Sequence, residues 1–231
     1  MADPDQEAFD RLLLAVAHDA RAHLRRSLTG VQMVERAAAA RLTLEQREHL
    51  SAAIAASKEL ERLFGRLSDF ANAGRGLPGK PLPLRAVLAG LPLRFPACDL
   101  RVGEVPEALS GVRTPPAVMR AIEELTDNAL RFSGRGPVEI SVAAREAPGS
   151  AAGGAAGTVE VTVRDHGLGL DERERAEAFE PLRRFHARDQ FPGAGLGLAI
   201  CRRLALSAAA TVRLMPAEGG GLAATITFPA G

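Results

Sequence analysis

Residues 124–132 have the sequence Glu-Leu-Thr-Asp-Asn-Ala-Leu-Arg-Phe, which predicts a helix with a stripe of polar residues. On a helix, Glu124, Asn128 and Arg131 share one face because they are four and three residues apart. A carboxylate, an amide oxygen and a guanidinium on one stripe can hold Mg²⁺ and a triphosphate, because Mg²⁺ takes few protein oxygens. Taken alone, the stripe fits a solvated helix face better.

Two glycine-rich segments follow in the same half of the chain. Residues 165–169 (Asp-His-Gly-Leu-Gly) come directly after an alternating strand. A carboxylate there can accept a hydrogen bond from an adenine amino group, and the glycines allow a tight turn. Residues 193–198 (Gly-Ala-Gly-Leu-Gly-Leu) open a helix whose first backbone amides can bind an anion. Taken alone, the first segment fits an ordinary glycine turn better, and the second fits a flexible loop that leads into a helix equally well.

The N-terminal third predicts two long helices. Apolar residues recur at three- and four-residue steps over residues 7–72, and the pattern breaks at 37–41. A capping-box sequence, Thr43 to Gln46, marks the start of the second helix. Two helices alone cannot enclose a core, so their apolar stripes predict a homodimeric four-helix bundle.

His18 and Asp19 lie on the first of these helices. An unperturbed imidazole is mostly neutral near pH 7 and offers a nucleophilic nitrogen. An isolated helical histidine is more often structural than catalytic, and His23 competes for the same role.

The remainder of the chain predicts a different architecture. Residues 73–83 are rich in Gly and Pro and indicate a linker, and the small residues of 147–157 predict a disordered loop. Alternating or apolar runs predict strands at 138–142, 159–163, 211–215 and 222–228, with helices at about 115–132 and 195–208. This mixture indicates helices on one face of a mixed sheet.

The composition excludes several classes of protein. A net charge of +1 gives no electrostatic reason to bind nucleic acid or an anionic membrane surface. Cys98 and Cys201 are too few for a disulfide scaffold or a zinc site. No apolar run approaches the roughly 18 residues of a spanning helix, so we expect no direct membrane insertion and a cytoplasmic location.

Together these segments resemble the two-component sensor histidine kinases, across nearly the whole chain. The matching segments are the H box at 18–24, the N box at 124–132, the first glycine box at 165–169, the F box at 179–181 and the second glycine box at 193–198. The implied domains are a dimerisation and phosphoacceptor domain at 1–75, a linker at 76–83 and a catalytic ATP-binding domain at 84–231. The implied fold class is α+β, with an antiparallel helical hairpin that forms a dimeric four-helix bundle, followed by an α/β sandwich of the GHKL ATPase type.

The resemblance implies roles for the residues around ATP. Asn128 would chelate Mg²⁺, and Glu124 would help to position the water shell of the metal. Arg131 would contact phosphate, Phe132 would pack on adenine, and Asp165 would bind the adenine amino group. The other implied cofactor-binding residues belong to the two glycine boxes: Gly167, Gly169, Gly193, Gly195, Leu196 and Gly197.

The resemblance also implies a route for the phosphoryl group. His18 would attack the γ-phosphorus, while Asp19 would accept or orient the imidazole proton. Residues 171–191 would form a mobile lid over the nucleotide. The phosphoryl group would then pass to an aspartate on a response-regulator receiver domain docked against the bundle.

Some residues depart from the family pattern. Ala22 stands where the family commonly has Thr or Asn to orient a water, so we expect weak or absent phosphatase activity. His23 occupies the usual Pro position. Only 17 residues precede His18, so we expect either a kinase that receives its signal through a separate sensory partner or the catalytic portion of a longer receptor.

Two other classes of protein remain as alternatives. One is a non-catalytic histidine phosphotransfer protein with a degenerate ATPase-like domain. The other is an anti-sigma-type serine kinase of the same superfamily. The presence of Asn128, Asp165 and the glycines disfavours the first, and the long hairpin with His18-Asp19 disfavours the second.

Overall fold

The computed structural model describes residues 4–96, 98–133, 136–145, 157–185 and 193–230. The chain divides into two compact units, with the boundary between Asn72 and Ala73. Residues 147–156 of the predicted disordered loop, and residues 186–191 of the predicted lid, lie outside the described ranges.

The first unit is a helical hairpin made by α1 (Pro4–Ala38) and α2 (Leu44–Ala73). The predicted capping box is confirmed. The Thr43 hydroxyl accepts from the Gln46 N–H at 3.2 Å, and the Gln46 side chain accepts from the Thr43 N–H at 3.0 Å. An ion pair between Arg25 and Glu61 at 2.8 Å joins the two helices.

One side of the hairpin presents large apolar side chains to solvent. Phe9, Leu12 and Val16 of α1 are each more than half exposed, as are Met33 and Val34 further along. Phe9, Leu12 and Val16 follow helical three- and four-residue steps, so they form a stripe on one face.

The second unit is an α/β sandwich. Its helices are α3 (Leu84–Arg94), α4 (Pro116–Phe132), α5 (Glu172–Glu177) and α6 (Gly197–Ser207), with a 3₁₀ turn at Glu107–Leu109. Its strands are β1 (Leu82–Pro83), β2 (Leu100–Val102), β3 (Arg113–Thr114), β4 (Val138–Arg145), β5 (Thr158–Arg164), β6 (Thr211–Pro216) and β7 (Leu222–Pro229).

The main sheet has the strand order β2-β4-β5-β7-β6, and β1 pairs separately with β3. Only the β2–β4 pair is parallel, so the sheet is mixed as predicted. Alternate residues of β5 are buried, as expected for a strand with one face against a core.

A single core lies between this sheet and the helices α4 and α6. The helices contribute buried apolar residues at helical spacing, and the strands β5 and β7 contribute every second residue. The largest of these side chains are Val118, Ile122, Leu125, Ile200, Leu204, Ile226 and Phe228. Each such side chain contributes about 1.5–3 kcal/mol when it is removed from water.

The predicted fold class is confirmed as a helical hairpin followed by an α/β unit of the GHKL type. The sequence analysis did not predict α3. Pro92 lies inside this helix, and proline ordinarily breaks a helix interior. The helix nevertheless buries Leu84, Val87, Leu88 and Leu91, whose helical spacing was the available signal.

Candidate nucleotide site and phosphoacceptor helix

The predicted stripe on α4 is only partly a solvated helix face, because Glu124 is buried whereas Arg131 is exposed. Glu124 is only 4% exposed, and its Oε1 accepts from Nη2 of Arg120 at 2.7 Å. Asn128 is half-buried one turn later. Arg131 pairs with Asp127 at 2.7 Å. Because Glu124 is buried together with the apolar residues of the helix, this carboxylate belongs to a structured site rather than to the solvent layer.

Asp165 lies at the end of β5 and is 5% exposed. Its Oδ1 accepts hydrogen bonds from the N–H of Gly167 at 2.9 Å and from the N–H of Leu222 at 3.1 Å. Burial raises the pKa of Asp165, and these backbone hydrogen bonds offset part of the rise. No donor among the described residues reaches Oδ2, so that oxygen can accept from a ligand.

The glycines beside Asp165 are required by close backbone packing. A Cβ at Gly167 would overlap the carbonyl oxygen of Phe132, the last residue of α4. Gly169 has φ +67°, and an added Cβ there would lie 3.0 Å from the carbonyl of Gly221. The turn after β5 therefore packs directly on the C-terminal end of α4.

Gly221 belongs to this site, although the sequence analysis missed it. Its φ is +92°, and a Cβ there would overlap the backbone carbonyl of Asp165. The run Gly219-Gly220-Gly221 before β7 was the signal in the sequence. Only a glycine allows the β7 strand to approach Asp165 this closely.

The second glycine segment leads into the start of α6. Gly195 has φ +67°, and a Cβ there would lie 2.7 Å from the carbonyl oxygen of Arg183. A Cβ at Gly193 would lie 2.5 Å from Nη1 of Arg131, so this loop approaches the end of α4. Leu196 is buried and precedes Gly197, the first residue of α6, without a side-chain cap. The first N–H groups of α6 therefore remain suited to an anion.

Two further arginines approach this loop. Arg184 donates a hydrogen bond to the carbonyl of Gly193. Arg183 pairs with Glu177 of α5, and the hydrogen bonds from Arg173 and Arg183 lower the pKa of Glu177. These arginines could not be identified from the sequence, because isolated basic residues in a polar loop carry no local signal.

His18 and Asp19 lie in the hairpin unit, on α1. Nδ1 of His18 is 3.2 Å from Oδ1 of Asp19, and the His18 side chain is 84% exposed. His23 differs, because its Nδ1 is 3.1 Å from the guanidinium of Arg26. The contact with Asp19 orients the imidazole and leaves Nε2 as the outward nitrogen.

The side-chain oxygens of Asn128 and Glu124 fit a metal that is bound together with phosphate. Among the described residues, no group of three or more His, Cys, Asp or Glu side chains could hold a metal ion. Mg²⁺ usually takes one or two protein oxygens and completes its shell with phosphate and water. The half-buried amide of Asn128, one turn from the Glu124 carboxylate, fits that kind of shared site.

Comparison with known proteins defines the family. Residues 114–231 match the family described as Histidine kinase-, DNA gyrase B-, and HSP90-like ATPase. The chain belongs to this family. The predicted resemblance to the sensor histidine kinases is confirmed, because the relatives that match are signalling kinases of that kind.

Two relatives illustrate the extent of the similarity. The signal transduction histidine-protein kinase BarA of Escherichia coli K12 is 28% identical over 177 residues, which are 71% of this chain and 18% of BarA. The adaptive-response sensory kinase SasA of Synechococcus sp. (strain JA-2-3B'a(2-13)) is 24% identical over 241 residues, 95% of this chain and 59% of SasA. The chain thus spans less than two thirds of either relative.

Solved structures share the fold. The full-length ShkA structure in complex with AMPPNP aligns with a TM-score of 0.66 at 22% identity, over 95% of this chain and 45% of ShkA. In the part of the chain that the structure describes, no helix combines the length and hydropathy needed to cross a membrane.

Proposed function

We propose that this protein is an ATP-dependent protein-histidine kinase that phosphorylates its own His18 and passes the phosphoryl group to an aspartate of a response regulator. The proposal depends mainly on the carboxylate of Asp165. Two backbone N–H groups hold its Oδ1, and its Oδ2 can accept a hydrogen bond from a ligand beside the glycine turn. The family match over residues 114–231 supports the same ATP-binding role.

Each element around Asp165 has a role in holding the nucleotide. Oδ2 of Asp165 accepts from the adenine amino group, and Phe132 packs on the ring. The phosphates lie against Arg131 and the N–H groups of Gly195 to Gly197, at the start of α6, which has no side-chain cap. Asn128 holds Mg²⁺, with Glu124 on its water shell. Mg²⁺, when bound, supplies charge neutralisation at the transferring phosphate.

The transfer step uses the outward nitrogen of His18. Nε2 forms a bond to the γ-phosphorus while the bond from that phosphorus to the bridging oxygen of ADP breaks. Asp19 holds the proton at Nδ1 and stabilises the positive charge that develops on the imidazole. The rest of the catalysis is positioning of nucleophile and phosphate.

We further propose a homodimer through the hairpin. The exposed stripe that includes Phe9, Leu12 and Val16 would become buried against a second copy in a four-helix bundle. The proposed domain limits are 1–75 for the phosphoacceptor domain, 76–83 for the linker and 84–231 for the catalytic domain. The input would come from a separate sensory partner or from the sensory part of a longer receptor.

The phosphatase activity toward the phosphorylated regulator is expected to be weak. Ala22 is exposed four residues after His18 and has no side-chain group to orient a water. The phosphorylated regulator, mixed with this protein and ADP, should therefore release phosphate slowly. Rapid release that persists after other catalysts are removed would contradict this expectation.

Labelling with γ-labelled ATP and Mg²⁺ tests the proposal. The wild-type protein should acquire an acid-labile label. His18→Gln and Asn128→Asp should lose it, because the first lacks the nucleophile and the second lacks the neutral amide ligand. His23→Gln is the matched control and should keep the label, because Arg26 already occupies its Nδ1.

Two outcomes would contradict the kinase proposal. The absence of both label and nucleotide binding in the wild type would favour a phosphotransfer protein. An acid-stable label that survives in His18→Gln would favour a serine kinase.

A further inference from the structure

Four charged side chains form a continuous line from α3 to the buried carboxylate of the site. Arg94 of α3 lies 3.4 Å from Glu123, measured between Nη2 and Oε2. The same Glu123 oxygen lies 2.9 Å from Nη1 of Arg120. Nη2 of Arg120 lies 2.7 Å from Oε1 of Glu124. Arg94 at one end of this line is exposed, Glu123 and Arg120 are partly buried, and Glu124 at the other end is buried.

Burial of the Glu124 carboxylate requires a partner. A charged carboxylate removed from water is strongly disfavoured unless an opposite charge and hydrogen bonds compensate it. Arg120 provides both from one turn earlier on the same helix. The ion pair with Arg120 therefore compensates the burial of the Glu124 carboxylate.

The shape of the guanidinium determines where this carboxylate points. Arg120 uses Nη1 for Glu123 and Nη2 for Glu124, so the orientation of its planar fork is set by two anchors. Glu123 is itself held by an ion pair with Arg94, which lies on α3. A lysine offers a single ammonium on a flexible stem and cannot hold two carboxylates in this fixed geometry.

We infer that Arg120 is a positioning residue for the Mg²⁺-nucleotide, acting through Glu124 and held in place by Glu123. This inference rests on the proposed function. Arg120 fixes the orientation of the carboxylate that orders the water shell of the metal. Its own guanidinium acts on the nucleotide only through Glu124.

A purely structural role makes a different prediction. If Arg120 only compensates the burial of Glu124, its loss lowers the melting temperature but leaves Mg²⁺ dependence unchanged in the folded protein. If Arg120 orients Glu124, its loss changes the Mg²⁺ dependence of nucleotide binding at temperatures where the variant is folded.

Calorimetric titration of AMPPNP at a series of Mg²⁺ concentrations separates the two roles. Groups that orient a metal ligand typically contribute about 10–100-fold to metal affinity. Arg120→Gln should therefore require about 10–100-fold more Mg²⁺ for half-maximal enhancement of AMPPNP binding, with metal-free binding unchanged. Arg120→Lys should recover part of this loss because it restores the charge without the fork.

Arg85→Gln is the matched control. Arg85 also lies on α3 and forms a 3.3 Å ion pair, with Glu107, but the pair is exposed and has no link to Glu124. This variant should show the wild-type Mg²⁺ dependence. In a Glu124→Gln background, Arg120→Gln should add nothing to the defect, because its partner is already neutral.

Each result decides the inference. A folded Arg120→Gln protein with wild-type Mg²⁺ dependence would overturn it while leaving the proposed function intact. A wild-type protein that binds no AMPPNP would overturn both. If Arg120→Gln fails to fold, Glu123→Gln carries the test: it keeps the inner ion pair and should show a severalfold loss in the same direction, and no change would overturn the inference.

Discussion

The proposed phosphoacceptor helix and the proposed nucleotide site differ in how exposed their central side chains are. His18 is 84% exposed, and its imidazole has one orienting contact, with Asp19. Asp165 is 5% exposed and is held by the backbone N–H groups of Gly167 and Leu222, beside a turn that requires glycine at positions 167 and 169. In the proposed function, His18 is a nucleophile that two phosphoryl partners must reach in turn, which fits its exposure. Asp165 is proposed to select one ligand, which fits its burial and its fixed position.

The same contrast applies to the stability of the two regions. The α/β unit has a buried core between its sheet and α4 and α6. The hairpin leaves large apolar side chains in solvent. We expect substitutions in the α/β unit to act within one chain, and substitutions on the hairpin stripe to act through assembly.

The largest effect is expected for Leu12→Arg on this stripe. Leu12 is 63% exposed in the single chain, and burying an arginine in a dimer seam costs about 2 kcal/mol or more per copy. The dimer should weaken by about a thousandfold. Light scattering coupled to size exclusion measures the mass. Leu206→Arg, at a residue 65% exposed on α6, is the matched control and should not change it. A dimeric Leu12→Arg protein would place the interface elsewhere.

The next effect is the loss of nucleotide affinity in Asp165→Asn. A hydrogen bond to a charged group contributes about 1.5–3 kcal/mol, so binding should weaken by about 10–100-fold. Calorimetry with ADP measures this change. Asp99→Asn, at an exposed surface carboxylate, is the control and should bind as the wild type does. An unchanged affinity of Asp165→Asn for ADP would show that Asp165 does not recognise adenine.

Asp165→Asn should increase the stability of the nucleotide-free protein at neutral pH, although it weakens nucleotide binding. Burial raises the folded-state pKa of Asp165, so this carboxyl group favours folding at pH values below its unfolded-state pKa. That contribution is lost as the pH rises through the folded-state pKa. Asparagine carries no charge. The variant without nucleotide should therefore gain stability relative to the wild type at neutral pH, and the gain should vanish in acid. Denaturant unfolding at several pH values measures it.

Gly167→Ala should cost less than these changes. The added Cβ overlaps the carbonyl of Phe132, and relief of such overpacking typically costs about 1–3 kcal/mol. Urea unfolding measures the loss in the free energy of unfolding. Gly111→Ala is the control within the same unit, because a Cβ at Gly111 meets nothing within 4 Å. Equal stability of the two variants would contradict the close packing of this turn.

The smallest effect is expected for Gly30→Ala, and its sign should be reversed. Gly30 lies inside α1, is exposed, and has open space around its Cα. Alanine in a helix interior is about 0.5–1 kcal/mol more favourable than glycine. Thermal unfolding of the hairpin should show a small gain. A loss of stability would indicate that the surface around Gly30 is covered in solution.

The sequence predicted those features that depend on local spacing. The capping box at Thr43, the alternating strand β5 and the helix that carries Glu124 and Asn128 all follow from periodicity or short-range hydrogen bonds. The position of Asp165 at the end of β5 was also predictable, because a strand followed by Asp-x-Gly-x-Gly has a local signature.

Contacts between distant segments could not be predicted in this way. Gly221 lies 56 positions after Asp165 and is required only because β7 pairs with β5. The ion pair that joins Arg94 to Glu123 depends on the packing of α3 beside α4, and α3 itself was hidden by Pro92. Such requirements arise from tertiary packing, which short-range sequence patterns do not specify.

The most direct test of the central claim is to locate the phosphoryl group itself. The protein is incubated with Mg²⁺-ATP, digested at neutral pH and fragmented by electron transfer, which preserves labile phosphoramidate bonds. The account predicts the added mass of one phosphoryl group on His18 and none on His23. A phosphoryl group on His23, on a serine, or on no residue of a protein that binds ATP would contradict it.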